Sequence, residues 1–124
     1  MILETAPQSI FLEIRAGAGG EEASLFAREL ALMYMKYAGR KNWKAGVIDS
    51  SVSDLGGYKE ITIEIANPAS YAELKQEAGV HRVQRIPATE KSGRVHTSTA
   101  SVAILPVYPT SALTIRSDDI EVTF

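Results

Sequence analysis

The side chains best suited to chemistry lie in residues 79–100, GVHRVQRIPATEKSGRVHTSTA. Here Arg82, Arg85, Lys91 and Arg94 face a single acid, Glu90, in an otherwise acidic chain, and both histidines, His81 and His96, are present. Gln84, Thr89, His96 and Thr97 add groups that could read a base. A threonine hydroxyl donates and accepts, a glutamine amide does both and can turn over, and an imidazole can stack on an exposed base. Cations supply affinity for phosphate while such side chains reach base edges. The plainer alternative is a strand Gln, a turn Thr, a surface His and a strand Thr on a solvated cationic rim. His81 reads as a packed stem residue. Pro87-Ala88-Thr89 and Ser92-Gly93 interrupt two β-like runs, because proline fixes φ and Ser-Gly marks a turn. The segment therefore predicts a protruding loop on a two-stranded stem.

A second candidate is RAGAGGEEA, residues 15–23. Glycines directly between a strand and a helix can present backbone N–H groups, with Glu22 beside them, to a ligand. Alternatively, this is a βα turn whose acids, Glu21 and Glu22, complement the helix dipole. It is neither a Walker loop nor a complete dinucleotide fingerprint. Two acids at its mouth would repel a pyrophosphate but tolerate a base edge, since a carboxylate accepts hydrogen bonds from amino or imino groups. His81, His96, Glu21 and Glu22 lack metal-ligand spacing, so neither a metal nor a cofactor is expected.

The elements that must hold these groups follow from periodicity. Ile10, Leu12 and Ile14 alternate in a strand over residues 9–15. A helix opens at Glu21, with Phe26, Leu30, Met33 and Tyr37 on one face, and closes near Gly39. Residues 43–49 form a strand with Trp43, Ala45 and Val47 on one side, and residues 50–57 a polar connection. Residues 59–65 are a strand through Ile61, Ile63 and Ile65. A short helix starts at Asn67-Pro68 or at a capping box of Ser70 and Glu73. Strands over residues 80–86 and 95–105 flank the loop, and residues 113–115 and 120–124 read as further strand pieces. The order βαββαβ predicts an α+β, ferredoxin-like sandwich with a protruding β-hairpin loop.

A chain of 124 residues with 45% hydrophobic content suits one globular domain. Its net charge of −2 makes any nucleic-acid contact local. Without cysteine there is no disulfide framework, which fits a reducing compartment. No apolar run approaches the ~18 residues of a membrane span, and the start lacks signal-peptide features.

The motif GVHRVQR-x-PAT-E-x-x-GR-x-HTS resembles the codon-reading loop of bacterial class I peptide chain release factors. Pro87-Ala88-Thr89 is similar to the type that reads UAA and UAG; the sister type carries Ser-Pro-Phe there. RAGAGGEEA and GGYKEI, residues 56–61, extend the resemblance over roughly residues 10–105. It implies a codon-recognition domain binding an mRNA stop codon at the small-subunit decoding centre of a cytoplasmic ribosome, with no membrane partner. Gly19 and Glu22 would meet the first base, Thr89 the second, and Gln84 and Thr97 the third. His96 would wedge between the second and third bases. Arg82, Arg85, Lys91 and Arg94 would meet ribosomal RNA phosphates. The family hydrolyses peptidyl-tRNA through a Gly-Gly-Gln loop on another domain, and no such tripeptide occurs here. The chain is thus expected to bind rather than catalyse, with residues 106–124 beginning the connection to that domain. Rival expectations are a ribosome-rescue relative without codon specificity, a generic ferredoxin-like RNA-binding module, and a small nucleotide-handling enzyme.

Overall fold

The computed structural model describes residues 7–86 and 93–109. Strands β1 (Ser9–Ala16), β2 (Lys44–Val52), β3 (Tyr58–Ala66), β4 (Gly79–Arg85) and β5 (His96–Val107) form one antiparallel sheet in the order β2-β3-β1-β5-β4. Helix α1 (Glu21–Arg40) and the short α2 (Ser70–Leu74), followed by a 3-10 turn (Lys75–Glu77), complete the mixed α/β architecture. The strand pieces expected after residue 109 lie outside the described residues.

Alternation makes β1 and β3 the centre. Ile10, Leu12 and Ile14 are fully buried, and they pair across the ladder with Ile65, Ile63 and Ile61. Alternate side chains share one face of a strand, so these isoleucines and leucine present a single apolar wall to α1. Phe26, Leu30 and Tyr34 come down onto it. The helical stripe departs from expectation: Met33 and Tyr37 are exposed, while Ala23, Ala27, Ala31 and Ala38 are buried. A row of small residues lies at the middle of the stripe and lets the helix approach the sheet. A pattern weighted towards bulky residues therefore points to its margin.

The βαββ part has its expected order. The place beside β1, which a βαββαβ unit gives to its last strand, is taken by β5, with β4 outside it. Through Val102, Gly79 at the start of β4 lies level with Ile14 and Ile61, so residues 67–78 have already carried the chain most of the way back along β3. Strand β4 then runs on past the end of β1, and β5 returns between β4 and β1. The second strand also shifts. Trp43 is buried ahead of β2, while Val47, opposite Ile63 on this edge strand, is exposed, and the register shifts between it and Asp49. At α2, Asn67 supplies the turn: its Oδ1 accepts from Ala69 N–H at 2.8 Å, and Ser70 Oγ donates to Asn67 O at 2.7 Å.

The far end of α1 is fastened by tyrosine hydroxyls. Tyr34, only 2% exposed, donates to Glu77 Oε1 at 2.9 Å. Burial first, then the Glu77 hydrogen bond and charge, hold its phenol well above its ordinary pKa of 10.0. The fold thus favours the protonated phenol. That contribution is complete below the unfolded pKa and is lost as pH rises through the folded one. Chemical denaturation from about pH 10 upward should show falling stability, with a shallower slope in Tyr34→Phe. Equal slopes would contradict this pairing.

Candidate nucleic-acid interface

At one end of the sheet, β1 runs into α1 and β4 turns over into β5. Beyond the last β1–β5 pair, Ala16 with Ala100, the chain stays attached to β5. Gly17 N–H donates to Thr99 O at 2.8 Å, and Thr99 N–H donates to Ala18 O at 2.9 Å. Ala18 N–H donates to Thr99 Oγ1 at 2.8 Å. Glycine is required because the approach is so close. A Cβ on Gly17 would stand 2.3 Å from Thr99 Oγ1, and one on Gly19 would stand 2.8 Å from Ser98 Oγ. Gly19 also has φ +119°, a conformation disfavoured for other residues.

This attachment brings the two sequence candidates together. Gly19 lies against Ser98, and His96 is two residues back along β5, about 7 Å by strand rise. His96 pairs with Arg85, and Thr97 with Gln84. Gln84 Nε2–H donates to Thr97 Oγ1 at 3.2 Å. Strand alternation puts His96 and Arg85 on the face covered by α1, and Gln84 with Thr97 on the opposite face. The site therefore straddles the sheet end, with His96 on the α1 side and Gln84 and Thr97 on the other.

On the helix side, Glu22 is buried and lines a cleft of about 400 Å³ with Leu25, Arg28, Glu29, Arg85 and Ile86. Arg85 Nη1 lies 2.8 Å from Glu29 Oε1. Hydrogen bonding to Glu29 leads the causes that raise the Arg85 pKa, with the field of Glu22 a lesser one. Arg82 is exposed on the open face. His81 is half-buried, with Nε2 at 2.7 Å from Glu77 O, as a stem residue would be. Pro87, Ala88, Thr89 and Lys91 lie outside the described residues, while Arg94 and His96 within them are exposed. Among the described residues, no group of three or more His, Cys, Asp or Glu could hold a metal ion.

Other residues build this end without having stood out in the sequence. Thr99 and Ser98 hold the glycine turn. Glu21 turns away from Glu22, accepting from Ser53 Oγ–H and, at 3.0 Å, from Leu55 N–H. Gly57 lies directly on the α1 backbone, where a Cβ would meet Ser24 C at 2.4 Å. Only the GGYKEI motif marked this region, and through resemblance rather than chemistry.

The sequence matches the PCRF domain family over residues 2–102. The chain belongs to this family of peptide chain release factor domains. Peptide chain release factor 1 of Caldicellulosiruptor saccharolyticus is 55% identical over 115 residues, which cover 93% of this chain and 32% of that protein. Release factor 1 of Clostridium botulinum (strain Hall) is 52% identical over the same shares. Among solved structures, RF2 of Thermus thermophilus superposes with a TM-score of 0.78 at 36% identity, over 81% of this chain and 28% of that one. The release-factor domain thus spans about a third of the length of the curated relatives it matches. Both the expected family and the mixed α/β fold are borne out. In this release-factor domain, the family match runs from β1 into β5, including the glycine turn, His96 and Thr99.

Proposed function

We propose that this domain reads the stop codons UAA and UAG during translation termination, docked at the decoding centre of a cytoplasmic ribosome. The observation that carries the reading is the Thr99 attachment. It fixes the Gly19–Glu22 corner a few ångströms from the start of β5, within the span of one trinucleotide. In this reading, the turn at Gly19 and the Glu22 carboxylate meet the first base, a uridine. Thr89, in the Pro87-Ala88-Thr89 motif, meets the second.

His96, at the first position of β5 and opposite Arg85, stacks, so the third base is held apart from the first two. Gln84 and Thr97 address that base, and the Gln84 amide accepts A or G by turning over. The Gln84–Thr97 hydrogen bond supports this, because it holds the two groups side by side before any base arrives. Arg82, Lys91 and Arg94 contact ribosomal RNA phosphates, and Arg85 does so by exchanging Glu29 for a phosphate. Peptidyl-tRNA hydrolysis belongs to a Gly-Gly-Gln segment that residues 1–124 do not contain. Among the described residues no helix is long and apolar enough to cross a membrane.

The test is peptide release by a full-length factor carrying this domain, on ribosomes programmed with UAA, UAG, UGA or CAA. Release at UAA and UAG well above UGA and CAA is expected. Equal release at all four would overturn codon reading and favour a rescue role.

A further inference from the structure

The neighbouring acids Glu21 and Glu22 have different surroundings. Successive helical residues point about 100° apart. Glu22 therefore faces the cleft beside Arg85 and Ile86, while Glu21 faces the turn between β2 and β3. We propose that Glu21 is a positioning residue for base recognition. Through the Ser53 hydroxyl and the Leu55 amide it clamps the first turn of α1 to the β2–β3 turn, and so fixes where Gly19 and Glu22 stand. The proposal rests on the codon reading above.

The β2–β3 turn does not need Glu21 for its own structure. Ser53 N–H donates to Gly57 O at 2.8 Å, Gly56 N–H to Ser53 O at 3.1 Å, and Gly57 N–H to Ser53 Oγ at 2.9 Å. Ser53, 7% exposed, accepts from that amide and donates its hydroxyl hydrogen bond to Glu21. Nor does α1 need this partner for an acid in its first turn, because a solvated carboxylate already suits the helix dipole. The bonds from Glu21 add a defined orientation. Gly57 brings the turn into backbone contact with Ser24 and Leu25, one turn or less from Glu22. The Thr99 attachment holds the glycine turn from the β5 side. The helix tip is therefore gripped from two sides, and Glu21 is its side-chain contact to the second.

A small displacement of a recognition group costs far more in rate than in stability, because productive geometry is narrow. In a full-length factor carrying this domain, kcat/KM for release is compared at UAA, CAA and UAC. Glu21→Ala and Ser53→Ala should each lower release at UAA about tenfold, the scale of one hydrogen bond to a charged group. Each should shrink the UAA:CAA ratio by a similar factor and leave UAA:UAC within about twofold. The double variant should lose no more than Glu21→Ala alone, since that change already removes the acceptor of both the Ser53 and the Leu55 bonds. If Glu21→Ala does not fold, Ser53→Ala carries the same expectation with the charge retained. Unchanged ratios, or both ratios falling together, would overturn the positioning role while leaving codon reading intact. A wild-type factor with no preference for UAA over CAA would overturn the codon reading, and this role with it.

Discussion

Gly57→Ala is expected to lower the melting temperature of this domain by roughly 10 °C. The new Cβ would sit 2.4 Å from Ser24 C, 2.5 Å from Ser24 O and 2.6 Å from Leu25 N. All three are backbone atoms of α1, so no side chain can swing aside. Either the β2–β3 turn or the helix tip must move, breaking the bonds from Ser53 and Leu55 to Glu21. Overpacking of this kind costs about 3 kcal/mol at the upper end of its usual range. Loss of unfolded-state freedom offsets this by at most about 1 kcal/mol. Gly56→Ala is the contrast: its φ of +89° carries backbone strain, but its Cβ meets nothing. It should cost only about 1–2 kcal/mol. Thermal unfolding of both variants checks this, and a Gly57→Ala domain as stable as the native one would show that the turn does not press on α1.

In a full-length factor carrying this domain, Glu22→Gln is expected to cut release at UAA and UAG together, by about 10- to 100-fold, with little change in the domain's melting temperature. The substitution keeps size and shape but turns an acceptor-only group into one that also donates. Glu22 is 8% exposed, so bulk water does little to hide the change. A well-placed base contact is worth about 1–3 kcal/mol of discrimination. The two codons share their first two bases and differ only at the third, so an equal loss keeps Glu22 off the third, and a shrunken UAA:CAA ratio beside it assigns Glu22 to the first. Gln84→Ala, on the opposite face of the sheet, should instead alter the UAA:UAG ratio. Steady-state release kinetics separate these outcomes, and an unequal loss in Glu22→Gln would move Glu22 away from the first base.

Much of this end of the molecule was legible in the sequence because its signals are local. Alternation of Ile10, Leu12 and Ile14 and of Ile61, Ile63 and Ile65 marks the two central strands, and the glycines at 17, 19 and 20 mark the strand-to-helix corner. The stem was legible too, and its Arg85–His96 register pairs Gln84 with Thr97. Placement of the hairpin was not, since it depends on where residues 67–78 deliver the chain along the sheet rather than on a periodicity within β4 or β5. Ser53, Gly57 and Thr99, and the contacts of Glu21, were hidden for a related reason. Each acts through a contact between segments far apart in sequence, and such contacts leave no periodicity to detect. Ala23, Ala27, Ala31 and Ala38 show the same limit within one helix, where the best-packed positions carry the least conspicuous side chains.

The most direct measurement is a structure of a full-length factor carrying this domain, bound to a ribosome with UAA in the decoding site. Glu22 or the turn at Gly19 should lie within hydrogen-bonding distance of the first base, with Gln84 or Thr97 within that distance of the third and His96 between the second and third. A bound factor whose messenger triplet touches neither the corner at Gly19 nor the start of β5 would contradict the account.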